Sequence, residues 1–280
     1  MNGSRNSILC PNCNRLISRN VARCPYCGIG HPGAWWKNNL LTKAMLDGEG
    51  MIKAIIYVNI AMYVISLLLG SGRAGRGFGP MSFLAPDNNS LFLLGASGAI
   101  PIERFHRYWT LLTANYLHGG ILHIFFNMMA FYRLAPLAIQ EYGTFRMFVI
   151  YTLTGVGGYL VSFMAGVPFT IGASASVCGL IGALLYYGKS RGGEYGQALA
   201  SQVGGWVVGL FLFGFLVPGI NNWAHGGGLL TGVGLAYLLG YRERKADNAT
   251  HKMLAAACAL CTVLALLWGI VSAFGLRFLA

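Results

Sequence analysis

Long apolar stretches alternate along the chain with short polar or glycine-rich segments. Seven of these stretches are roughly 17–25 residues long, the length that crosses about 30 Å of hydrocarbon as an α-helix. They are approximately Ile52–Leu69, Leu117–Leu137, Phe145–Val167, Ile171–Tyr187, Leu199–Val217, Trp223–Tyr241 and Met253–Ala273. A water-soluble bundle would need polar helix faces that these stretches lack. We therefore predict an all-α polytopic membrane protein with seven spans.

The composition favours the same class. Of the 280 residues, 55% are hydrophobic and 10% are charged, whereas about a quarter of residues are charged in a typical soluble domain. Roughly fifty mixed and polar residues precede the first span, and no cleavable secretory signal is visible among them. We expect the first span to act as an uncleaved insertion signal.

The net charge of +12 follows the predicted spans. With alternating spans, fifteen of the 20 lysine and arginine residues lie on the side of the N-terminus. The other five are Arg73, Arg76, Arg104, Arg107 and Arg277. Because Lys and Arg near spans favour the cytoplasm, we predict a cytoplasmic N-terminus and an external C-terminus, in a bacterial plasma membrane. The charge needs no nucleic-acid partner, and we expect none.

Two Cys-x-x-Cys pairs stand near the N-terminus. Cys10 and Cys13 form the first pair, and Cys24 and Cys27 form the second. Four thiolates at this spacing can bind one structural Zn²⁺ tetrahedrally, and the metal would supply the folding free energy of so short a segment. Two disulfides are the alternative, which a reducing cytoplasm disfavours. His31 is interpreted as a surface residue, since four cysteines complete the site.

These features divide the chain into four parts. We predict a zinc-ribbon-like module at residues 1–33, a linker at 34–50, a six-span core at 51–241, and a cytoplasmic connection with the seventh span at 242–280. Cys258 and Cys261 repeat the Cys-x-x-Cys spacing inside that last span. Without a second pair, they are interpreted as small packing residues. The partner of the N-terminal module cannot be predicted.

Spans four and six carry the candidate nucleophile and base. Ser174 and His225 each lie a few residues past the start of their span. Both spans begin at the external face in the predicted topology, so the two side chains lie at similar depth. That is a precondition for a hydrogen bond of about 2.6–3.2 Å, through which a base activates a serine hydroxyl. Glycines on both spans, at positions 172, 179, 182, 228 and 232, would allow their backbones to approach closely.

Span two contributes two further polar residues. His123 and Asn127 are four residues apart, which places them on one face of a helix. This span also starts at the external face, so both side chains can reach the depth of Ser174. There they could donate to the oxyanion that forms when serine attacks an amide carbonyl. The alternative is that both residues only form structural hydrogen bonds between helices.

In this order and topology, the three elements resemble the rhomboid family of intramembrane serine proteases over roughly residues 50–241. The resemblance implies a six-helix core with one extra C-terminal helix and a Ser174–His225 dyad without a third acidic member. It also implies an oxyanion hole of His123, Asn127 and the Ser174 N–H, and no catalytic cofactor. Transmembrane protein substrates would enter laterally near spans two and five, and residues 218–222 would form a cap.

Two other serines compete with Ser174. Ser97 lies in a Gly95-Ala96-Ser97-Gly98 string that matches the family motif better, but in the long first loop rather than at the start of a span. Ser176 lies on a different helix face. The continuation Gly179-Leu180-Ile181-Gly182 favours Ser174.

Four positions depart from the family pattern. Ala175 replaces the glycine after the nucleophile, and Cys178 replaces an aromatic residue four positions after it. Trp109-Thr110 replaces a Trp-Arg pair, so we expect the first loop to lose a guanidinium that ties it together. Glu141 is displaced from the usual acidic position after span two. None removes a catalytic group, but they leave open a non-catalytic relative that binds and escorts transmembrane helices. A transporter is disfavoured, since no acidic residue falls inside a predicted span.

Overall fold

Helices account for most of the chain, as the apolar stretches predict. The computed structural model describes residues 6–11, 15–35, 48–70, 84–217, 219–244 and 247–278. Contacts divide the chain into two units, Met1–Ala54 and Ile55–Ala280. The domain boundaries of the sequence analysis stay a prediction.

The N-terminal unit contains an antiparallel hairpin. Strand β1 (Ser7–Leu9) pairs with β2 (Leu16–Ser18). Side chains alternate between the two faces of a strand, and Ile17 is buried with Cys10 and Cys24 in a small cluster. Leu9 and Leu16 face solvent from the opposite side of the hairpin.

Nine α-helices follow in the described part of the chain. They are α1 (Gly48–Leu68), α2 (Asn88–Leu94), α3 (Thr110–Thr113), α4 (Ile121–Tyr142), α5 (Thr144–Met164), α6 (Ser174–Arg191), α7 (Gly193–Leu216), α8 (Asn222–Leu239) and α9 (Ala249–Phe278). Seven of these have at least 18 residues and occupy the predicted stretches. Helix α7 starts six residues earlier than predicted, directly after Gly192, whose φ is +67°.

Five of the seven long helices, α1, α4, α5, α7 and α9, are long and apolar enough to cross a membrane. Helices α6 and α8 have 18 residues each, contain several glycines, and are not among these five. Most side chains of α6 are buried by surrounding helices. Polar and small residues are tolerated there because protein, rather than lipid, surrounds them.

Helices α6 and α8 touch along a line of glycines, as predicted. A Cβ at Gly232 would collide with the backbone of Gly179, and a Cβ at Gly228 would collide with the backbone of Ala175. Gly182 lies in the same way against the backbone of Leu229. We call these three contacts the glycine seam. It brings the first turns of α6 and α8 together.

The first loop keeps a guanidinium, contrary to the expectation from Thr110. Arg107 donates through Nη1 to Phe92 O at 2.6 Å and through Nη2 to Leu93 O at 2.9 Å. These carbonyls belong to the last turn of α2, where C=O groups have no N–H donor from a following helical turn. The guanidinium also lies 4.7 Å from the centroid of the Trp109 ring. Arg107, two residues before Trp109, therefore ties the loop.

Helix α9 also contacts the first loop. It packs against α2, α3 and α5. Gly269 of α9 lies so close to Leu94 O and the Trp109 ring that an added Cβ would be 2.7 Å and 3.2 Å from their nearest atoms. At its N-terminal end, Asp247 pairs with the buried Arg146 of α5 at 3.2 Å. The seventh long helix is thus integrated with the six-helix core.

Replacing Gly232 with alanine should separate α6 from α8, because the new methyl group meets the Gly179 backbone. We expect Gly232→Ala to lower the free energy of unfolding by about 1–3 kcal/mol, the usual cost of overpacking. Equilibrium unfolding in bicelles measures this. Gly234→Ala on the same helix is the matched control, since a Cβ there meets nothing within 4 Å. Equal stability of the two variants would contradict the seam.

Replacing Arg107 with glutamine should loosen the first loop, because both Phe92 O and Leu93 O lose a charged donor. We expect Arg107→Gln to lower the free energy of unfolding by about 1.5–3 kcal/mol, the contribution of hydrogen bonds to a charged group. Arg104→Gln is the control, because Arg104 is exposed in the same loop. The account of the loop is wrong if the two variants unfold alike.

Candidate active site

The four predicted site residues line one cavity of about 480 Å³. Ser174 is the first residue of α6, and His225 is the fourth residue of α8. His123 and Asn127 come from the first two turns of α4. Three separate helices therefore direct their starting turns towards the same space.

Ser174 and His225 face this cavity without a hydrogen bond between them. His225 is 6% exposed, and its Nδ1 is buried with no hydrogen-bond partner among the described residues. Ser174 is half-buried. In substrate-free enzymes, hydrogen bonds between catalytic groups are often long and tighten only when substrate binds. Ser174 and His225 therefore face one shared space, with no hydrogen bond between them.

The orientation of His123 is set by its own helix start. The Gly119 N–H donates to His123 Nδ1 at 3.2 Å. A neutral imidazole that accepts at Nδ1 carries its proton at Nε2. Nε2 faces Gly172, where a Cβ would lie 2.7 Å from it and 3.8 Å from Ser174 Oγ. Gly172 has a φ of +120°, which favours glycine, and its missing side chain leaves room between His123 and Ser174.

Asn127 completes the polar lining of the α4 side. Its Nδ2 donates to His123 O at 2.9 Å, one turn earlier. A side-chain amide has two N–H donors, so one remains for a ligand. His123 and Asn127 thus each present an N–H donor to the cavity that holds Ser174.

His118 is a neighbour to which the sequence analysis assigned no role. It is fully buried, and its Nε2 accepts from the Ala173 N–H at 3.5 Å. Its ring packs edge to face on His123, with centroids 5.0 Å apart. It thereby joins the start of α6 to the start of α4. In the sequence, His118 stands five residues before His123 at the edge of an apolar stretch, and this position only weakly indicates a role in the site.

Asn221 was also missed, although it fixes the start of α8. Its Oδ1 accepts from the Ala224 N–H at 3.1 Å, as an N-cap. Its Nδ2 donates to Ser162 Oγ at 2.6 Å and Thr170 Oγ1 at 2.9 Å. The turn that carries His225 is therefore anchored to the end of α5. The predicted cap at 218–222 includes Pro218, which lies outside the described residues.

The two competing serines do not line the cavity. Ser176 is fully buried and donates to Asn115 Oδ1 at 3.0 Å. Ser97 forms a β-bridge with Thr170, and its buried hydroxyl accepts from Thr110 at 3.3 Å. Both hydroxyls are buried in hydrogen bonds away from the cavity, which favours Ser174 as the candidate nucleophile.

The structure shows what surrounds three of the residues that depart from the family pattern. Ala175 is buried against Tyr159 and Ala224 and does not line the cavity, so its methyl group takes no space there. Cys178 does line the cavity. Glu141, in the last turn of α4, accepts from Tyr195 Oη at 2.7 Å, which ties α4 to α7.

The cysteines of the N-terminal unit converge. The Sγ atoms of Cys10, Cys24 and Cys27 all lie within 4.8 Å of one another, and those of Cys10 and Cys27 are 3.6 Å apart. That separation is far longer than a disulfide bond of about 2 Å. Thiolates about 2.3 Å from a tetrahedral Zn²⁺ stand at about this spacing, so the three residues fit the metal. Cys13 lies outside the described residues. Exposed His31 lies at the surface, as predicted.

Known proteins resemble the helical part of this chain. Residues 106–242 match the model of the Rhomboid domain. RHOMBOID-like protein 1 of Arabidopsis thaliana is 29% identical over 68% of the chain and 52% of its own length. Rhomboid protease GluP of Bacillus subtilis (strain 168) is 34% identical over 48% of the chain and 26% of its own length. Inactive RHOMBOID-like protein 8 of Arabidopsis thaliana is 31% identical over 53% and 43%.

These relatives differ from the chain in length and from one another in activity. The chain spans about half the length of the first plant relatives that it matches. Because most are plant proteins, they give no support to the predicted bacterial membrane. They include both a protease and an inactive protein. Residues 106–242 of the chain, which include helices α4 to α8, are therefore a Rhomboid domain.

Proposed function

We propose that this protein is an intramembrane serine endopeptidase that cleaves peptide bonds in transmembrane segments of membrane proteins. The observation that carries the proposal is the single cavity lined by Ser174, His225, His123 and Asn127. A nucleophile, a base and two N–H donors are the groups that acyl transfer to serine requires.

The first half of the reaction makes a covalent intermediate. His225 takes the proton of Ser174 Oγ as that oxygen attacks the substrate carbonyl carbon. The carbonyl oxygen becomes an oxyanion, which accepts from His123 Nε2–H, Asn127 Nδ2–H and the Ser174 N–H. This last group lies in the first turn of α6, where backbone N–H groups have no partner within the helix. The C–N bond then breaks, and His225 gives its proton to the leaving amine.

The second half releases the product. His225 removes a proton from a water molecule that attacks the ester carbon, and the same donors stabilise the second oxyanion. Collapse of this intermediate breaks the ester bond and returns a proton to Ser174 Oγ. The half-buried position of Ser174 is compatible with access by water, and we infer that the cavity opens on the external side.

The proposed orientation of the chain in the membrane rests on the distribution of lysine and arginine residues. Lys189 and Arg191 lie in the last turn of α6, at the end opposite Ser174. Fifteen of the 20 basic residues lie on that side when the predicted spans alternate. By the positive-inside rule, we propose a cytoplasmic N-terminus and an external C-terminus.

Removing either member of the dyad should abolish cleavage. We expect Ser174→Ala and His225→Ala to lower kcat for a single-span model substrate by at least about 10³-fold, because neither group acts without the other. The assay follows product formation in proteoliposomes against a panel of transmembrane segments.

Ser176→Ala and Ser97→Ala serve as controls and should keep most of the activity. Cleavage that persists in Ser174→Ala would refute the assigned nucleophile. Binding of the segments without cleavage by the unmodified protein would favour the non-catalytic escort instead.

We also propose that Cys10, Cys13, Cys24 and Cys27 bind one structural Zn²⁺. The spacing of three thiols and the short, hairpin-based unit support this. The metal would hold the unit folded and take no part in proteolysis.

Native mass spectrometry should find about one Zn²⁺ per chain. Cys24→Ser should lose it, because a hydroxyl is a poor zinc ligand in place of a thiolate. Cys261→Ser, which alters an exposed cysteine of α9, should keep it. Finding no metal in the unmodified protein would refute the site.

A further inference from the structure

The N-terminal segment is basic and contains no acidic residue. Residues 1–46 include six lysines and arginines, while the first aspartate or glutamate is Asp47. Arg15, Arg19 and Arg23 are exposed, and none forms an ion pair within the described part of the chain. These charges are therefore available to an anionic partner.

The same unit exposes apolar side chains. Leu9 and Leu16 are opposite each other in the hairpin and are 58% and 66% exposed. They share a face with Ser7 and Ser18, while Ile17 on the other face is buried. Trp35 is 78% exposed. Exposed arginines, leucines and a tryptophan in one short unit are the composition of protein surfaces that bind at the membrane–water interface.

The length of the chain confines this unit to the vicinity of the bilayer. Twelve residues, 36–47, separate Trp35 from the start of α1. Whatever their conformation, they can span at most about 45 Å. The hairpin thus experiences a membrane surface at high local concentration, where even weak binding is effective.

We propose that the outer face of the hairpin docks on anionic phospholipid. Leu9 and Leu16 enter the headgroup region, and Arg15, Arg19 and Arg23 contact lipid phosphates. A nucleic acid is a poorer fit, because leucine side chains offer no ring on which a base can stack, and the Arg15 guanidinium already lies 4.8 Å from the centroid of the Tyr26 ring. In a cell, the proposal depends on the cytoplasmic orientation of the N-terminus that is proposed above. It does not depend on proteolysis.

The test uses the full chain in nanodiscs with a photo-crosslinking benzophenone amino acid in place of Ser18, which is exposed on the docking face. Lipid adducts are measured by mass spectrometry in pure phosphatidylcholine and in mixtures with phosphatidylglycerol. We expect several-fold more adduct in the anionic mixture and its loss at high salt, because salt screens the arginines.

Neutralising three arginines provides the matched comparison. Arg15→Gln, Arg19→Gln and Arg23→Gln together should lower the ratio of docked to free hairpin about 100-fold, since each basic residue near an anionic surface contributes about 1 kcal/mol. Arg133→Gln, Lys189→Gln and Arg242→Gln remove equal charge from exposed sites on other elements and should change little.

Several results would overturn the proposal. Adduct yields that are equal in neutral and anionic nanodiscs, or that resist high salt, exclude charge-driven docking. So does competition in which added RNA captures the crosslinker in place of lipid. Because the salt and lipid series use the unmodified arginines, the outcome does not depend on the folding of the triple variant. A cleavage defect in Ser174→Ala leaves these yields unchanged, which separates this test from that of the protease.

Discussion

Close contact between the backbones of α6 and α8 is the constraint on which the rest of the structure depends. The glycine seam replaces side-chain volume with direct helix contact, which is favourable in a membrane where packing rather than the hydrophobic effect joins helices. It also requires glycine at the contact positions Gly182, Gly228 and Gly232. Most side chains of α6 are buried by surrounding helices, whereas α8 keeps an exposed apolar side that includes Trp223, Leu230 and Tyr237. The cavity forms where the first turns of the two helices meet.

Polar groups at the helix starts then determine how side chains face that cavity. Asn221 caps α8, the Gly119 N–H sets the tautomer of His123, and His118 accepts from the start of α6. Each is a directional hydrogen bond in surroundings with little water, where an unmet donor or acceptor costs free energy. The chemistry of the site therefore depends on groups that do not themselves react.

The elements of this site could be predicted because they leave local signals. Apolar length indicates helices, glycine spacing indicates the seam, and the i, i+4 spacing places His123 and Asn127 on one face. Helix starts were less predictable: α4 begins at Ile121 rather than Leu117, because hydropathy does not reveal where backbone hydrogen bonding begins. Arg107 was missed for another reason. Its partners, Phe92 O and Leu93 O, lie 15 and 14 residues away, and backbone carbonyls leave no sequence signal.

The central claim is that Ser174 is a nucleophile activated by His225. Labelling with a serine-directed fluorophosphonate, followed by peptide mass spectrometry, tests it most directly because it reads out the attacked residue without a substrate. We predict adduct on Ser174 in the unmodified protein and none on any serine in His225→Ala. Adduct on Ser176 or Ser97, or labelling of Ser174 that is unaffected by loss of His225, would contradict the account.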